Sequence, residues 1–150
     1  MIHTPRDPDF EARVRSSFAA QKFMETLGAR LERVAPGEVE IALPFRADLT
    51  QQHGYLHAGV AAALADSACG YAALTLMEPG AAVLSVEFKL NVLAPAEGSR
   101  FAAVGKVVRA GRTLTVCSAE VRALQDERDS VVAMMQATMM AIRDRTGMRD

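Results

Sequence analysis

One charged residue inside an apolar segment is the first candidate for chemistry in this sequence. Asp66 carries the only charged side chain between Ala58 and Met77, where Ala, Gly, Val, Leu, Cys and Tyr dominate. Burying an ionised carboxylate costs on the order of several kcal/mol unless it is paired or hydrated. A functional carboxylate is therefore the preferred hypothesis. The alternative is a residue that caps a helix break or pairs with Lys or Arg across an interface.

Small residues surround Asp66 if this segment is a helix. At 100° per residue, five of them fall within about 60° of Asp66. They are Gly59, Ala62, Ala63, Gly70 and Ala73, while the bulkier Val60, Leu64 and Tyr71 point away. Such a face lets a ligand or another backbone approach the carboxylate closely.

A glycine-containing run leads into the same segment and suggests an anion-binding helix start. The run is Gly54-Tyr55-Leu56-His57-Ala58-Gly59. The first N–H groups of a helix lack partners within the helix, and the positive end of the helix dipole favours negative charge. An oxyanion that develops during a reaction could be held there. Taken alone, the run is also explained by an ordinary helix start.

Several other kinds of site lack their defining residues. His53 and His57 are four positions apart, but Gly54 lies between them and no Glu or third ligand completes a metal motif. We expect no metal. The sequence has no Gly-x-Ser-x-Gly elbow, phosphate-binding loop or dinucleotide glycine motif. Cys69 and Cys117 lie in apolar segments without activating neighbours, so we interpret them as small core residues.

Composition limits the class of protein. The chain has 150 residues, half of them apolar, which predicts a single domain over residues 1–150, with residues 1–8 flexible. A net charge of −1 disfavours nucleic acid as a partner. The sequence starts without the apolar region of a signal peptide and has only two cysteines, which favours the cytoplasm. The apolar segment is Ala-rich and contains Asp66, so we expect no membrane span.

The elements that position these residues follow from periodicity and breakers. The pattern predicts an amphipathic helix over Asp9–Leu27, ended by Gly28, and a buried helix over Ala58–Met77. Between them it predicts strands over Ala29–Val34 and Glu38–Phe45, and a loop over Arg46–Gly54. The site residues thus fall on a loop and on the helix that follows it.

Four further strands are predicted between Ala81 and Arg143, separated by short turns. The first alternates most clearly: Leu84, Val86, Phe88, Leu90 and Val92 share the face expected to be core, and Ser85, Glu87, Lys89 and Asn91 share the wetter face. Short turns require antiparallel neighbours. The predicted architecture is α+β, with one antiparallel sheet curved around a single apolar helix.

The motif residues resemble a known family. Gly54-x-x-His57-Ala58-Gly59, followed by Ala63-Leu64-Ala65-Asp66-Ser67-Ala68, is similar to the signature of the hotdog-fold thioesterases of the PaaI-like, phenylacetate-degradation type. The likeness runs from Leu27-Gly28-Ala29 to the last strand. It includes Leu84-Ser85-Val86-Glu87-Phe88, Leu93-Ala94-Pro95-Ala96 and Gly111-Arg112-Thr113. The resemblance implies a hotdog fold with an extra N-terminal helix.

The resemblance also implies catalytic roles. Asp66 would be the general base or the nucleophile, and the backbone N–H of Ala58 or Gly59 would polarise the thioester carbonyl. Gln51 stands where many relatives have an asparagine that orients the carbonyl or the water. Ser85 matches a serine that positions water across a dimer interface.

Two departures from the family pattern stand out. Ala58 replaces the first glycine of a His-Gly-Gly sequence, which keeps the N–H donor but adds a methyl group beside the acyl slot. Gln51 is one methylene longer than asparagine, and Gln52 next to it is an alternative for the same role. His57 and Gly54 belong to the matched motif, and we expect both to contact the substrate.

The implied reaction is hydrolysis of acyl-CoA thioesters, with coenzyme A as part of the substrate and no further cofactor. A thiol of pKa about 8.5 leaves with little acid assistance, so one carboxylate and one oxyanion donor suffice. The alternative is a non-catalytic acyl-thioester sensor on the same fold; a hydratase ranks last, since its His-and-acid pair is missing.

The resemblance further implies a homodimer or a dimer of dimers. Lys106, Arg109 and Arg112 cluster around one turn and could meet the phosphates of coenzyme A, or form a solvated hairpin tip. Small residues near Asp66 and few aromatic residues favour medium or long aliphatic acyl groups.

Overall fold

One antiparallel sheet with a helix against it forms the body of the protein. The computed structural model describes residues 3–143 and 147–148. The helices are α1 (Phe10–Ala20), α2 (Lys22–Leu27) and α3 (Ala58–Leu74), with a short 3-10 turn at Ala47–Leu49. The strands are β1 (Arg30–Ala35), β2 (Glu38–Pro44), β3 (Ala82–Val92), β4 (Arg100–Ala110), β5 (Leu114–Gln125) and β6 (Arg128–Ile142).

The strand order is β1-β2-β4-β5-β6-β3, with all neighbours antiparallel. Helix α3 packs against β2, β3, β4, β5 and β6, so the sheet surrounds it on one side. The α+β hotdog arrangement and the N-terminal helical segment predicted from the sequence are confirmed. Within the described residues, no helix is both long and apolar enough to cross a membrane.

Close packing of α3 on the sheet explains much of the alanine in the sequence. Ala61, Ala65, Ala68 and Ala72 are all buried on α3. A Cβ atom at Gly105 of β4 would overlap the backbone of Ala68, so only glycine fits at this crossing. Small side chains therefore let the helix backbone lie directly on the strands. The helix ends at Leu74, earlier than the predicted Met77.

The N-terminal helical segment is divided, which corrects the prediction of one helix over Asp9–Leu27. Gln21 leaves the helical conformation with ψ 100°, and its N–H donates to the carbonyl of Phe18 at 3.0 Å. Its neighbours Ala19, Ala20 and Lys22 all favour helix. The local sequence therefore contains no signal for the break.

Helix α1 is attached to the C-terminal end of α3. The Arg13 guanidinium donates to the carbonyls of Leu74 (3.0 Å), Met77 (2.9 Å) and Glu78 (2.6 Å), and it lies 3.3 Å from a carboxylate oxygen of Asp7. Leu74 is the last residue of α3, and Met77 and Glu78 follow it, so the arginine caps the C-terminal end of the helix.

The predicted flexible segment, residues 1–8, is only partly described. Asp7 is buried and pairs with Arg13, and a ring nitrogen of His3 lies 3.3 Å from the carbonyl of Val107. Residues 1 and 2 lie outside the described residues. The flexibility of the whole segment stays a prediction.

Strand β3 lies at an edge of the sheet, and its predicted core face is only partly correct. Leu90 packs against the core as predicted, but Leu84 is exposed and Ser85, predicted for the wetter face, contacts Asp66 on α3. Leu84, Val86 and Phe88 are 39%, 52% and 46% exposed. The pairing with β6 shifts register between Ser85 and Glu87, and such a bulge interrupts the alternation of faces. In addition, an edge strand has only one neighbouring strand. The single chain therefore leaves these three apolar side chains in contact with water.

Candidate active site

The carboxylate of Asp66 is held by a serine from the edge strand. Asp66 is half-buried on α3, and the hydroxyl of Ser85 donates to its Oδ1 at 2.6 Å. Ser85 is also 3.5 Å from the sulfur of Met139 on β6. A carboxylate can accept about four hydrogen bonds, so this contact orients Asp66 without saturating it. The structure thus brings together two residues that the sequence predicts for the site.

A cavity of about 110 Å³ lies beside this pair. Its lining comes from the N-terminal helical segment, from α3 and from β3. The lining residues are Ser17, Gln21, Asp66, Ser67, Gly70, Tyr71, Val83 and Ser85. The sequence reasoning missed the contribution of the N-terminal segment, because the break that brings Gln21 to the cavity has no local signal.

The start of α3 offers one backbone donor rather than two. The ring Nδ1 of His57, the residue before the helix, accepts the N–H of Gly59 at 2.8 Å. This bond uses the Gly59 donor, whereas Ala58 lies exposed at the first helical position. The geometry therefore favours the N–H of Ala58 as an oxyanion donor, and gives His57 a capping role.

The loop before α3 is closed by its own hydrogen bonds. Gln51 donates its N–H to the carbonyl of Tyr55 at 2.9 Å, and Gly54 donates to the carbonyl of Gln51 at 3.0 Å. The side-chain oxygen of Gln51 accepts the N–H of His53. Gly54 has a φ of +86°, which favours glycine. Gly54 thus shapes the loop, and Gln52 next to it is exposed.

A second, larger cavity of about 460 Å³ lies beside this loop. Gln51, Tyr55 and Ala58 contribute to it, together with mostly apolar side chains. Those are Leu56, Ala61, Val92, Leu93, Ala94, Pro95, Ala96, Val132 and Ala133. The predicted site residues therefore fall into two groups: Gln51 and Ala58 at the large apolar cavity, and Asp66 and Ser85 at the small polar one.

The separation of these groups is set by the helix itself. Ala58 and Asp66 are eight positions apart on α3, and a rise of 1.5 Å per residue places them about 12 Å apart along the axis. An oxyanion donor and a nucleophile must both lie about 3 Å from one reacting carbonyl group. Within one chain, these two residues cannot act on the same thioester.

The three basic residues predicted to meet coenzyme A do not converge. Lys106 is exposed between the buried Gly105 and Val107, so it points away from α3, and it lies 3.3 Å from a carboxylate oxygen of Glu38. Arg112 lines a separate cavity of about 110 Å³ that also involves Leu76 and Met77, beyond the C-terminal end of α3. Arg109 is exposed near the turn between β4 and β5, which contains Arg112.

The two cysteines belong to the core, as the sequence predicts. Both are fully buried, and the Cys117 thiol donates to the carbonyl of Cys69 at 3.5 Å. The adjacent Cys117 thiol and burial raise the pKa of Cys69 well above its usual range. This thiol therefore stays protonated and unreactive. The described residues contain no group of three or more His, Cys, Asp or Glu suited to a metal.

Comparison with known proteins gives consistent relatives. The model of the thioesterase superfamily matches residues 53–130. A 1,4-dihydroxy-2-naphthoyl-CoA hydrolase of Listeria monocytogenes is 26% identical over 121 residues, which cover 81% of this chain and 96% of that protein.

Solved structures agree with this match. A thioesterase family protein from Silicibacter pomeroyi is 54% identical, covers 89% of this chain and 98% of its own, and superposes with a TM-score of 0.87. The PaaI protein of the E. coli phenylacetic acid degradation operon is 18% identical, with a TM-score of 0.79 over 89% of this chain and 94% of its own, which shows a shared fold.

Proposed function

This chain belongs to the thioesterase superfamily and is a hotdog-fold thioester hydrolase, and we propose that it is of the PaaI-like type and hydrolyses acyl-CoA thioesters to a free acid and coenzyme A. The observation that carries the proposal is the half-buried carboxylate of Asp66, oriented by the Ser85 hydroxyl beside a cavity. We propose these two residues as the catalytic carboxylate and its positioning partner.

The proposed chemistry needs few groups. Asp66 either attacks the thioester carbonyl or removes a proton from the water that attacks it. In both cases a C–O bond forms, the C–S bond breaks, and the thiolate leaves with its electron pair and takes up a proton. When water attacks, the free acid forms directly. When Asp66 attacks, the acyl group becomes a mixed anhydride with its carboxylate, and a water molecule then cleaves this anhydride to release the free acid and restore Asp66. A thiol of pKa about 8.5 is a good leaving group at neutral pH. The carbonyl oxygen becomes negatively charged on the way, so it needs a hydrogen-bond donor.

We infer that the donor comes from a second copy of the chain. The N–H of Ala58 lies about 12 Å along α3 from Asp66, by the helical rise, and is exposed. In a two-fold dimer with antiparallel α3 helices, Ala58 of one protomer can meet Asp66 of its partner. One symmetric dimer then contains two sites, each made from both chains.

The edge strand supports this assembly. β3 has β6 on one side only, and its apolar side chains Leu84, Val86 and Phe88 are exposed. An exposed apolar edge strand is a template for pairing with another strand. Pairing β3 with β3 of the partner would satisfy the free backbone N–H and C=O groups of this edge and extend the sheet across the dimer. A dimer of dimers stays a prediction.

The remaining site residues have supporting roles in this proposal. The amide of Gln51 lines the large cavity beside Ala58, where it can orient the thioester, and His57 fixes the start of α3 through Gly59. We propose that Arg109 and Arg112 bind the phosphates of coenzyme A. Lys106 is a weaker candidate for phosphate binding than these two arginines, because Glu38 already pairs with it on the outer surface.

The two cavities favour acyl groups of different kinds. The apolar cavity of about 460 Å³ has room for a methylene chain. The cavity beside Asp66, at about 110 Å³, is small and polar. The aliphatic preference expected from the sequence therefore stays a prediction. Hydrolysis rates for acetyl, octanoyl, palmitoyl and phenylacetyl thioesters of coenzyme A would test it.

Two inactive variants test the shared site. Ala58→Pro removes the N–H donor at the first helical position, where proline is well tolerated, and His57 before it already has the extended conformation that proline requires. Asp66→Asn removes the carboxylate. We expect each variant alone to release almost no free thiol from acyl-CoA substrates that the wild type hydrolyses.

Mixing the two variants after unfolding and refolding together should restore activity. Random pairing makes half of the dimers mixed, and each mixed dimer keeps one intact site of two, so the mixture should reach about a quarter of the wild-type rate. No recovery would contradict a site shared between protomers. A wild type that releases no thiol from any acyl-CoA would contradict acyl-CoA hydrolysis itself.

A further inference from the structure

The break between α1 and α2 brings one polar side chain to the cavity beside Asp66. Gln21 is the residue at the break, and its backbone conformation ends α1 before α2 begins. Its side chain lines the same cavity as Asp66 and Ser85. If α1 continued without a break, the rotation of 100° per residue would direct the side chain of residue 21 away from this cavity. The break thus has a consequence for the site.

A hydrogen bond fixes the orientation of Gln21. The hydroxyl of Ser67 donates to the side-chain oxygen of Gln21 at 3.2 Å. Ser67 directly follows Asp66 on α3, so the bond ties the glutamine to the segment that carries the carboxylate. A glutamine amide has two N–H donors besides its oxygen. Gln21 can therefore offer a donor to a group that enters the cavity.

The cavity is unusually polar for a site that binds hydrocarbon. Besides Asp66, its walls include the Ser67 hydroxyl and the Gln21 amide. At Gly70, a Cβ atom would have no neighbour within 4 Å among the described residues, so the floor of the cavity is open. A hydrocarbon chain placed there would cover polar groups without offering them hydrogen bonds, which is unfavourable.

We propose that Gln21 is a specificity-determining residue that hydrogen-bonds a polar atom of the acyl group. This inference rests on the proposed acyl-CoA hydrolysis. The substrate class it selects is short or single-ring acyl groups that carry a hydroxyl or carbonyl oxygen beyond the thioester, in preference to plain hydrocarbon acyl groups of equal size.

The volume of this cavity suits the acyl group rather than the coenzyme. At about 110 Å³, it is somewhat smaller than a protein cavity of about 150 Å³ that binds benzene. It suits the end of a small group beside the reacting carbonyl. The pantetheine arm must instead continue to a nucleotide in solvent, and therefore needs a longer groove. The selected class runs against the aliphatic preference expected from the sequence.

Isosteric substrate pairs test the proposal on the intact protein. The first pair is 3-hydroxybutanoyl-CoA and 3-methylbutanoyl-CoA, and the second is 4-hydroxybenzoyl-CoA and 4-methylbenzoyl-CoA. A site adapted to a hydroxyl rejects the analogue that lacks it, whereas an apolar pocket barely distinguishes the two. In the wild type we expect kcat/KM to favour the hydroxyl member by about 10-fold to 100-fold in at least one pair.

The Gln21→Leu variant should remove this preference. We expect the ratio within the pair to fall to about 3-fold or less, with kcat/KM for the methyl member unchanged or higher, because an apolar wall accepts it. Ser67→Ala, which frees the glutamine amide, should lower the ratio by a smaller factor. Gln125→Leu in the distant β5–β6 hairpin is the matched control and should keep the wild-type ratio. Melting temperatures of the variants report whether each one folds.

Three results would overturn the proposal. One is the absence of a preference in both pairs for the wild type. Another is a Gln21→Leu variant that lowers kcat/KM equally for both members, since this indicates a coenzyme contact or a structural role. The third is an unchanged ratio in that variant.

Failure of the proposed hydrolysis is distinguishable from these results. If the wild type hydrolyses none of the four thioesters, the same ratios are measured as dissociation constants of the four S-alkyl thioether analogues of coenzyme A. Tighter binding of the hydroxyl analogues, lost in Gln21→Leu, would support the role of Gln21 without hydrolysis. Equal binding, or none, would contradict it.

Discussion

The two faces of α3 are built from the same small residues and do different things. On the face toward the sheet, Ala65 and Ala68 are fully buried, and Gly105 of β4 lies against the helix backbone. On the other face, Gly70 and Asp66 are only half-buried beside an open cavity. Small size serves close packing on the first face and free space on the second. Alanine and glycine content alone therefore does not reveal which face carries function.

The largest expected effect is the loss of activity, without loss of stability, when Asp66 on the cavity face of α3 is replaced. Asp66→Asn should lower kcat/KM for thioester hydrolysis by about 10³-fold or more, which is about 4 kcal/mol of transition-state stabilisation. The free energy of unfolding should change by less than about 1 kcal/mol, because asparagine has the same shape and keeps an oxygen for Ser85. Thiol release and urea unfolding measure the two quantities. A variant with a tenth of the wild-type activity would exclude Asp66 as the catalytic carboxylate.

A pair of glycine substitutions compares the faces directly. Gly105→Ala should destabilise the protein by about 1–3 kcal/mol, since the new methyl group overlaps the backbone of Ala68. Gly70→Ala should be neutral or stabilise by up to about 1 kcal/mol, because alanine favours helix and meets no neighbour there. Urea unfolding measures both. Equal costs at the two positions would contradict the difference between the faces.

The next effect concerns the hydrogen bond that orients the carboxylate. Ser85→Ala removes the donor to Asp66, and hydrogen bonds to charged groups contribute about 1.5–3 kcal/mol. We therefore expect kcat to fall by about 10-fold to 100-fold. Ser99→Ala, at an exposed serine before β4, is the control and should keep the wild-type rate. Equal rates in Ser85→Ala and the wild type would exclude this positioning role.

The smallest effect lies on the outer surface of the sheet, away from both faces. Partial burial raises the pKa of Glu38, but Arg33 and Lys106 outweigh it and hold the pKa below 4.5. A lowered pKa in the folded state contributes stability above about pH 4.5, and this is lost as the pH falls through the folded pKa. For such a surface cluster we expect about 1 kcal/mol or less.

Urea unfolding between pH 3 and pH 7 tests this contribution. The Glu38→Gln variant should lose less stability than the wild type as the pH falls below about 4.5. Glu127→Gln, at an exposed glutamate in the β5–β6 turn, should keep the wild-type curve. Parallel curves for Glu38→Gln and the wild type would contradict the contribution of this cluster.

Most of the fold could be predicted from the sequence, because its signals are local. Pro36-Gly37 and Ala110-Gly111 mark turns, and the Ala-rich segment marks the central helix. The break at Gln21 could not be predicted, since the neighbouring residues favour helix and the contact of Gln21 with Ser67 on α3 is long-range. The faces of Leu84 and Ser85 on β3 were predicted wrongly, because the register shift after Ser85 is visible only in the pairing with β6.

The site could be predicted in its residue types more fully than in its arrangement. Asp66 is conspicuous as a lone charge, and the structure brings Ser85 to it. The contribution of Gln21 depends on a long-range contact with Ser67 and has no local pattern. A separation of about 12 Å between Ala58 and Asp66 follows from the helical rise, but its meaning depends on a second chain. The cytoplasmic location and the lack of a further cofactor stay predictions.

The attachment of α1 through Arg13 sets a limit on how the chain can be shortened. Residues before β1 lie outside the sheet, but Val14, Met24 and Leu27 among them are buried in the core. Removing them would leave the carbonyls of Leu74, Met77 and Glu78 without the guanidinium that binds them. It would also remove Gln21 from the cavity beside Asp66. A protein without these residues would thus lose part of the lining of its site and the arginine that caps its central helix.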